Sequence, residues 1–273
     1  MIKKFLKKSD LIIKIYQKTI RIIYFFLGKL KFKLIRRNGI LYLLDLSRVI
    51  DVNIFLRGQW EKETILFMKR TVNLGDVIIE AGSNIGAHSF ILAKLVGEKG
   101  EIFCFEPTDY AFARLRANSL LNDFSNIIFE KKILSDNKNT LSIARMLSDF
   151  HHEESYNVKE DISKVPVTSI DEYSTDFSRL DLIKIDVDGY DFRVLLGASN
   201  AIKKFKPKVM IELAEFTLKS AGDSIQNILD FFSQNDYDGF YILDNSKITD
   251  FNEVLARSSN GTSHIDAYFI PKV

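Results

Sequence analysis

The chain has 273 residues, 46% of them hydrophobic, and a formal net charge of +2, enough apolar material to bury a sizeable core in one large domain or two small ones. Its single cysteine, Cys104, excludes an internal disulfide and fits a reducing interior. The small net charge hides an asymmetry: residues 1–37 hold twelve Lys or Arg and one acid, Asp10, which leaves 26 basic and 35 acidic residues beyond them, so a basic arm precedes an acidic body.

The arm begins MIKKFLKKSDLIIKIYQKTIRIIYFFLGKL. Its uncharged run from Ile22 to Gly28 is too short to span a bilayer. Lysines and Arg21 interrupt the apolar stretch and no small-residue cleavage pattern follows, which argues against a secretory signal. Phe5, Ile12, Tyr16, Ile20, Ile23 and Leu27 share a helical stripe. This predicts an amphipathic helix over residues 1–30. It either docks on the body or a second subunit, or lies on anionic lipid with its lysines among the headgroups. No reading motif accompanies the charge, so nucleic acid is not an expected partner. The expected location is the cytoplasm, with peripheral contact at the inner face of the membrane if the arm is interfacial. A homo-oligomer stays open.

Next come two strand-like runs joined at Asn38-Gly39, a hairpin signal. The arm and hairpin, residues 1–56, are expected to stand apart from a main domain over 57–273. A helix with apolar spacing through Trp60, Ile65, Leu66 and Met68 opens that domain. Apolar runs at 77–79, 102–105, 127–129, 182–187 and 209–213 read as strands buried on both faces. Helical segments at 86–96, 108–121, 190–204 and 222–233 separate several of them. The alternation predicts an α/β fold, a mostly parallel sheet with helices on both faces. Residues 237–243 and 264–270 are expected to close the chain as an antiparallel pair with no helix between them. Residues 137–180 read as irregular, apart from a strand near Val165–Val167.

The loop EAGSNIG, Glu80 to Gly86, falls between the first core strand and a helix, where ligands of open α/β sheets sit. Its glycines let the backbone approach a ligand closely. It lacks the G-x-G-x-x-G spacing of a pyrophosphate cradle and the Lys-Ser/Thr ending of a P-loop. Glu80 would repel a phosphate but suits a cationic amino group. The next strand ends in Glu106, within Phe105-Glu106-Pro107. A carboxylate there can accept hydrogen bonds from both hydroxyls of a ribose. A nucleoside with a cationic tail and no phosphates is called for, and S-adenosylmethionine has that form. Ser135 and Asp136, after the third strand, fall near the expected adenine. Asp136 either accepts from its exocyclic amine or turns the chain. Asn118 and Asn122 read as helix-end residues. In DLIKIDVDGYD, residues 181–191, Lys184, Asp186 and Asp188 alternate and would share a strand face at the cofactor edge.

These residues together resemble the FkbM family of methyltransferases. The likeness rests on Trp60-Glu61, the loop of Glu80, Gly82, Ser83, Asn84 and Gly86, the FEP at 105–107, Asn118 and Asn122, LSD at 134–136, SID at 169–171 and KIDVDGYD. It covers about residues 57–245. Here Glu80 stands where the family usually has Asp, Ser83 where it has Ala, and Asp188 and Asp191 where it has two glutamates. The resemblance implies a Rossmann-like class I methyltransferase fold, a seven-stranded sheet whose last strand is antiparallel. It also implies transfer of a methyl group from S-adenosylmethionine to a hydroxyl of a sugar, glycan or secondary metabolite.

The cofactor is therefore assigned to Glu80, Gly82, Ser83, Asn84, Gly86, Glu106 and Asp136. An alcohol acceptor needs its proton removed, and Asp186 is the first candidate base. Positioning of the cofactor is its rival role. His151 and His152, in the polar segment DFHHEESY, are the next candidates. His88 reads as a helix residue near the site rather than the base, and His264, opening a terminal strand, as structural. No metal is assigned; Asp186, Asp188, Glu212 and one histidine would be the rival set for a hard cation, without a compact ligand motif. Two other functions compete: a nucleotide-sugar enzyme of glycan biosynthesis, and a membrane-tethered scaffold without activity.

Overall fold

The computed structural model describes residues 31–136, 164–258 and 263–272. The chain divides into two compact units between Trp60 and Glu61, a few residues beyond the 56/57 division expected from sequence. The arm over 1–30 and the loop with His151 and His152 lie outside the described residues. No helix among the described residues is long and apolar enough to cross a membrane.

In the first unit, β1 (Phe32–Arg37) and β2 (Ile40–Asp45) form an antiparallel hairpin, with Arg37 opposite Ile40. Asn38 and Gly39 both have positive φ, 50° and 74°, the two-residue turn whose twist matches paired strands. Helix α1 (Val49–Arg57) follows and stops at Gly58, φ 84°. Arg37 Nη2 donates to the Phe55 carbonyl at 2.8 Å and fastens hairpin to helix.

The second unit opens with α2 (Lys62–Thr71). The core follows as β3 (Val77–Ala81), α3 (Ser89–Val96), β4 (Glu101–Phe105), α4 (Asp109–Leu120) and β5 (Ile127–Glu130). Two short strands, β6 (Ile133–Leu134) and β7 (Val167–Thr168), pair beside the sheet, and α5 (Ile170–Tyr173) comes next. Then come β8 (Leu182–Ile185), α6 (Asp191–Leu196), α7 (Ser199–Phe205), β9 (Lys208–Leu213), α8 (Glu215–Ser220) and α9 (Ile225–Gln234). The chain closes with β10 (Tyr237–Tyr241), α10 (Phe251–Arg257) and β11 (Ile265–Pro271).

Seven strands build one sheet in the order β10-β11-β9-β8-β3-β4-β5. All neighbouring pairs are parallel except those of β11, which runs antiparallel to both β10 and β9. This is the Rossmann-like class I methyltransferase arrangement expected. Runs of buried residues along β3, β4 and β8 mean that both faces are covered. The central core gathers Ile79, Phe105, Ile183, Ile185, Leu195, Ile202, Ile211 and Phe232, from strands and flanking helices.

β3 leads away to β4 and β8 leads away to β9, in opposite directions. The strand order therefore reverses between β3 and β8, and a crevice opens beyond their carboxyl ends. The loop 80–86 and the residues just past β8, 186–189, both emerge there.

Four expectations need correction. The 190–204 helix is two helices, broken at Gly197-Ala198, where a Cβ on Gly197 would come within 2.6 Å of the Ser135 carbonyl oxygen. The strand over 182–187 ends at Ile185, the last residue paired with β3 and β9. Asp188 lies beyond it, exposed, with φ 50°, so it does not continue the alternation of Lys184 and Asp186. Residues 164–180 are not wholly irregular, for α5 is capped by Ser169, which accepts from Glu172 N. Finally α10 stands between β10 and β11. Asp250 accepts from Glu253 N, and Glu253 accepts from Thr249 N, a reciprocal cap that starts a short helix without a long apolar stripe.

Candidate active site

The glycine loop is shaped by close backbone approach. Gly82 has φ 83°, and a Cβ there would stand 1.8 Å from the Asp186 carbonyl oxygen. No side chain fits between the ends of β3 and β8. Gly86 has φ 90°, and its Cβ would run into the Phe90 ring at 2.4 Å. Asn84 turns the loop with φ 46°, a left-handed conformation asparagine tolerates better than most residues. The N–H groups of Gly82 and Ser83 both donate to the Phe105 carbonyl, at 3.0 and 3.1 Å. Asp186 N donates to the Ala81 carbonyl at 3.1 Å. Three strand ends are thereby laced together.

Glu106 is buried beside this loop. Its Oε2 accepts from Asn84 N at 3.0 Å, and its Oε1 from Thr108 N and Oγ1 at 2.9 and 2.6 Å. The carboxylate is held rigidly by these three hydrogen bonds. Asn118 lies in the last turn of α4 as expected, and its Nδ2 also reaches the loop, donating to the Ile85 carbonyl at 3.2 Å. Asn122 Nδ2 donates to the Asn118 carbonyl at 2.8 Å, as a helix-end residue should. An open cleft of about 360 Å³ runs along this edge, lined by Gly82, Phe105, Pro107, Leu134, Val187 and Tyr190. Its walls are largely apolar and include the aromatic residues Phe105 and Tyr190. Asp136, just past Leu134, is exposed, accepts from Ser135 Oγ at 3.2 Å and pairs with Arg193 at 3.7 Å.

Glu80 lies beneath the loop, 1% exposed. It accepts a short hydrogen bond from Ser89 Oγ, has Cys104 Sγ at 3.6 Å and lies 3.9 Å from Lys184 Nζ. It ties the start of α3 to β4 and β8. Asp191, also buried, accepts from Val187 N and Gly189 N at 3.2 and 2.8 Å and so shapes the turn after β8. Burial, then the charge of Asp186, pushes its carboxyl up to about 7. Gly189 makes that turn possible, since a Cβ on it would meet the Thr217 backbone at 2.6 Å.

A second pocket, of about 230 Å³, adjoins the end of β8 and is lined in part by Glu61, Lys184, Asp186, Glu212 and Asp266. Lys184 Nζ donates to Asp186 Oδ2 at 2.9 Å. Burial opposes the lysine's charge, but Asp186 and Glu80 outweigh it and hold its pKa above the ordinary value. Burial likewise opposes the Asp186 carboxylate, yet Lys184 holds its pKa below the usual range. The others go the opposite way. Burial, then Asp266 and Asp186, raises Glu61 to about 8. Burial, then Asp186, Asp191 and Asp188, raises Glu212 to about 10. Asp266 is raised by burial and by Asp186, and accepts from Thr64 Oγ1 at 3.1 Å.

His88 Nε2 lies 3.6 Å from Glu61 Oε2. Its ring is buried, and a carboxylate oxygen of Asp186 lies within the same small cluster. His264, expected to be structural, sits on the rim with Nδ1 3.7 Å from Glu212 Oε1. The sequence reading left Glu61 and Asp266 without a role and set His88 aside. The Trp60-Glu61 pair was the one available signal; nothing local marks Asp266, which reaches the pocket only through the pairing of β11 with β9.

Residues 80–238 match the methyltransferase FkbM domain family, more than half of the chain. The chain belongs to that family. A curated relative of the chain is the hexuronic acid methyltransferase AglP of Haloferax volcanii, 28% identical over 150 residues, which are 54% of this chain and 59% of the relative. The chain thus matches less than two thirds of that relative's length. Among solved structures, the FkbM methyltransferase of Methylobacillus flagellatus aligns with TM-score 0.43 and 18% identity, over 71% of this chain and 43% of that one. The M. jannaschii TYW2 protein, crystallised with AdoMet, aligns with TM-score 0.45 and 17% identity, over 89% and 87%.

Proposed function

We propose that this FkbM methyltransferase moves the methyl group of S-adenosylmethionine to a hydroxyl of a sugar, glycan or secondary metabolite. The observation that carries the reading is the rigid Glu106 carboxylate beside a glycine loop, at the mouth of an apolar cleft. Glu106 would accept from the ribose hydroxyls. The adenine would lie between apolar walls near Leu134 and Tyr190, with Asp136 toward its amine. The loop of Gly82, Ser83, Asn84 and Gly86 would pass close to the methionine part. Glu80, engaged under the loop, would act on the cofactor's cationic end through its field and through the shape it gives the loop. A nucleotide-sugar would bring phosphates to an edge that already holds Glu80, Glu106 and Asp186, which disfavours that alternative.

Methyl transfer needs little from the protein besides alignment, because the sulfonium carbon is already electrophilic. Asp186 could serve as base or as a positioning group. A carboxylate held below its usual pKa by Lys184 is a weak proton acceptor, so its role in the proposal is to position cofactor and acceptor. His151 and His152 stay candidates for the base from the sequence alone. Asp186→Asn separates the roles. Positioning predicts weaker cofactor binding together with slower turnover; a base would leave binding intact while turnover falls roughly 10²–10⁴-fold.

The sugar acceptor draws support from the hexuronic acid relative. The test is incubation with methyl-labelled S-adenosylmethionine and extracts of cells lacking the gene. The reading expects a labelled product heavier by one methylene whose label survives mild alkali, as an ether does. Label released by alkali would mean a carboxylate acceptor and overturn the hydroxyl assignment; no labelled product from any extract would count against the activity itself.

A further inference from the structure

We propose that Glu61, His88 and Asp186 form a binding site for a divalent cation of the Mn²⁺ type, next to the methyl-donor cleft. One ligand atom from each residue lies within 4.8 Å of the other two. Octahedral coordination at about 2.1 Å places neighbouring ligands about 3.0 Å apart and opposite ones about 4.2 Å apart. Side-chain adjustment would be needed to draw these three to such spacings around one ion. His88 Nε2 and Glu61 Oε2 already lie 3.6 Å apart.

Three different elements supply the ligands: the residue leading into α2, the start of α3 and the end of β8. None of them shares a local motif, so the set exists only in the folded chain. Lys184 approaches Asp186 through Oδ2. Glu61, Glu80, Asp186, Glu212 and Asp266 bring five carboxyl groups near Lys184, with His88 and His264 beside them. The site adjoins the open pocket lined in part by Glu61, Lys184 and Asp186. An imidazole with two carboxylates suits Mn²⁺ better than Mg²⁺, because imidazole favours transition metals. Resting on the methyltransferase reading, the ion's use would be to bind the acceptor hydroxyl and lower its pKa, so that it meets the methyl group as an alkoxide and its proton passes to solvent.

Chelator-treated full-length protein is titrated with MnCl₂, followed by calorimetry and by electron paramagnetic resonance. One saturable site is expected, with ¹⁴N modulation from a bound imidazole in the pulsed spectrum. Glu61→Gln and His88→Gln should each weaken binding at least ~10-fold, with unfolding temperatures measured alongside. Absence of saturable binding, absence of the nitrogen signature, or undiminished binding in both variants overturns the site. The wild-type spectrum decides even if a variant does not fold. S-adenosylhomocysteine is titrated separately, so failure of the metal site and failure of the cofactor reading are told apart: retained cofactor binding without Mn²⁺ sinks only the former.

Discussion

Gly82 is the residue at which backbone geometry bears most directly on function. Gly82→Ala would place a Cβ 1.8 Å from the Asp186 carbonyl oxygen, in a left-handed conformation as well. The conformation alone costs about 1–2 kcal/mol, and separating β3 from β8 would cost more. The variant should lose S-adenosylhomocysteine binding and unfold at lower temperature; wild-type affinity would contradict the close approach. Glu212 offers a test by pH. Its carboxyl is raised from the ordinary 4.5 to about 10, so the folded chain holds a proton that the unfolded chain releases between those values. Stability from this group is present below about pH 4.5 and declines as pH rises toward about 10. Thermal unfolding between about pH 6 and 9 should therefore show a steeper fall in Tm for wild type than for Glu212→Gln. Equal slopes would contradict the placement of Glu212 among other buried acids.

Among the elements, α10 depends on one cap. Asp250→Ala removes the acceptor for Glu253 N, and a lost N-cap costs about 1 kcal/mol; chemical denaturation should register a loss of that size. The same helix explains what sequence reading misses. β3, β4, β8 and β9 were legible because continuous apolar runs mark strands buried on both faces. α10 was not, because a two-turn helix has too few apolar positions for a period and only its Thr-Asp…Glu cap announces it. The end of β8 was misplaced for a related reason: apolar-polar alternation runs on through Asp188, while strand pairing stops at Ile185. The glycine loop and Glu106 were legible because each lies beside its strand in sequence. Glu61, His88 and Asp266 were not, because they converge only when α2, α3 and β11 take their places around β8.

At the scale of the molecule, Glu80, Gly82, Asn84, Gly86, Glu106 and Asp186 all lie in the unit that begins at Glu61, while the basic charge lies in the arm. Deleting residues 1–28 should therefore leave S-adenosylhomocysteine binding unchanged. If the arm lies on lipid, the full chain should sediment with anionic vesicles and come off in salt, which screens its charges, and the truncated chain should not sediment. Equal sedimentation would contradict the membrane role, and unfolding of the truncated chain would favour a docked helix.

The most direct test of the methyl-donor site is a calorimetric titration with S-adenosylhomocysteine, comparing wild type with Glu106→Gln and with NAD and a UDP-sugar as competing ligands. A charged acceptor contributes about 1.5–3 kcal/mol per hydrogen bond. Wild type should bind S-adenosylhomocysteine in preference to both nucleotides, and Glu106→Gln should bind it at least ~10-fold more weakly. Equal affinity in the two proteins, or preference for NAD or the UDP-sugar, would contradict the account.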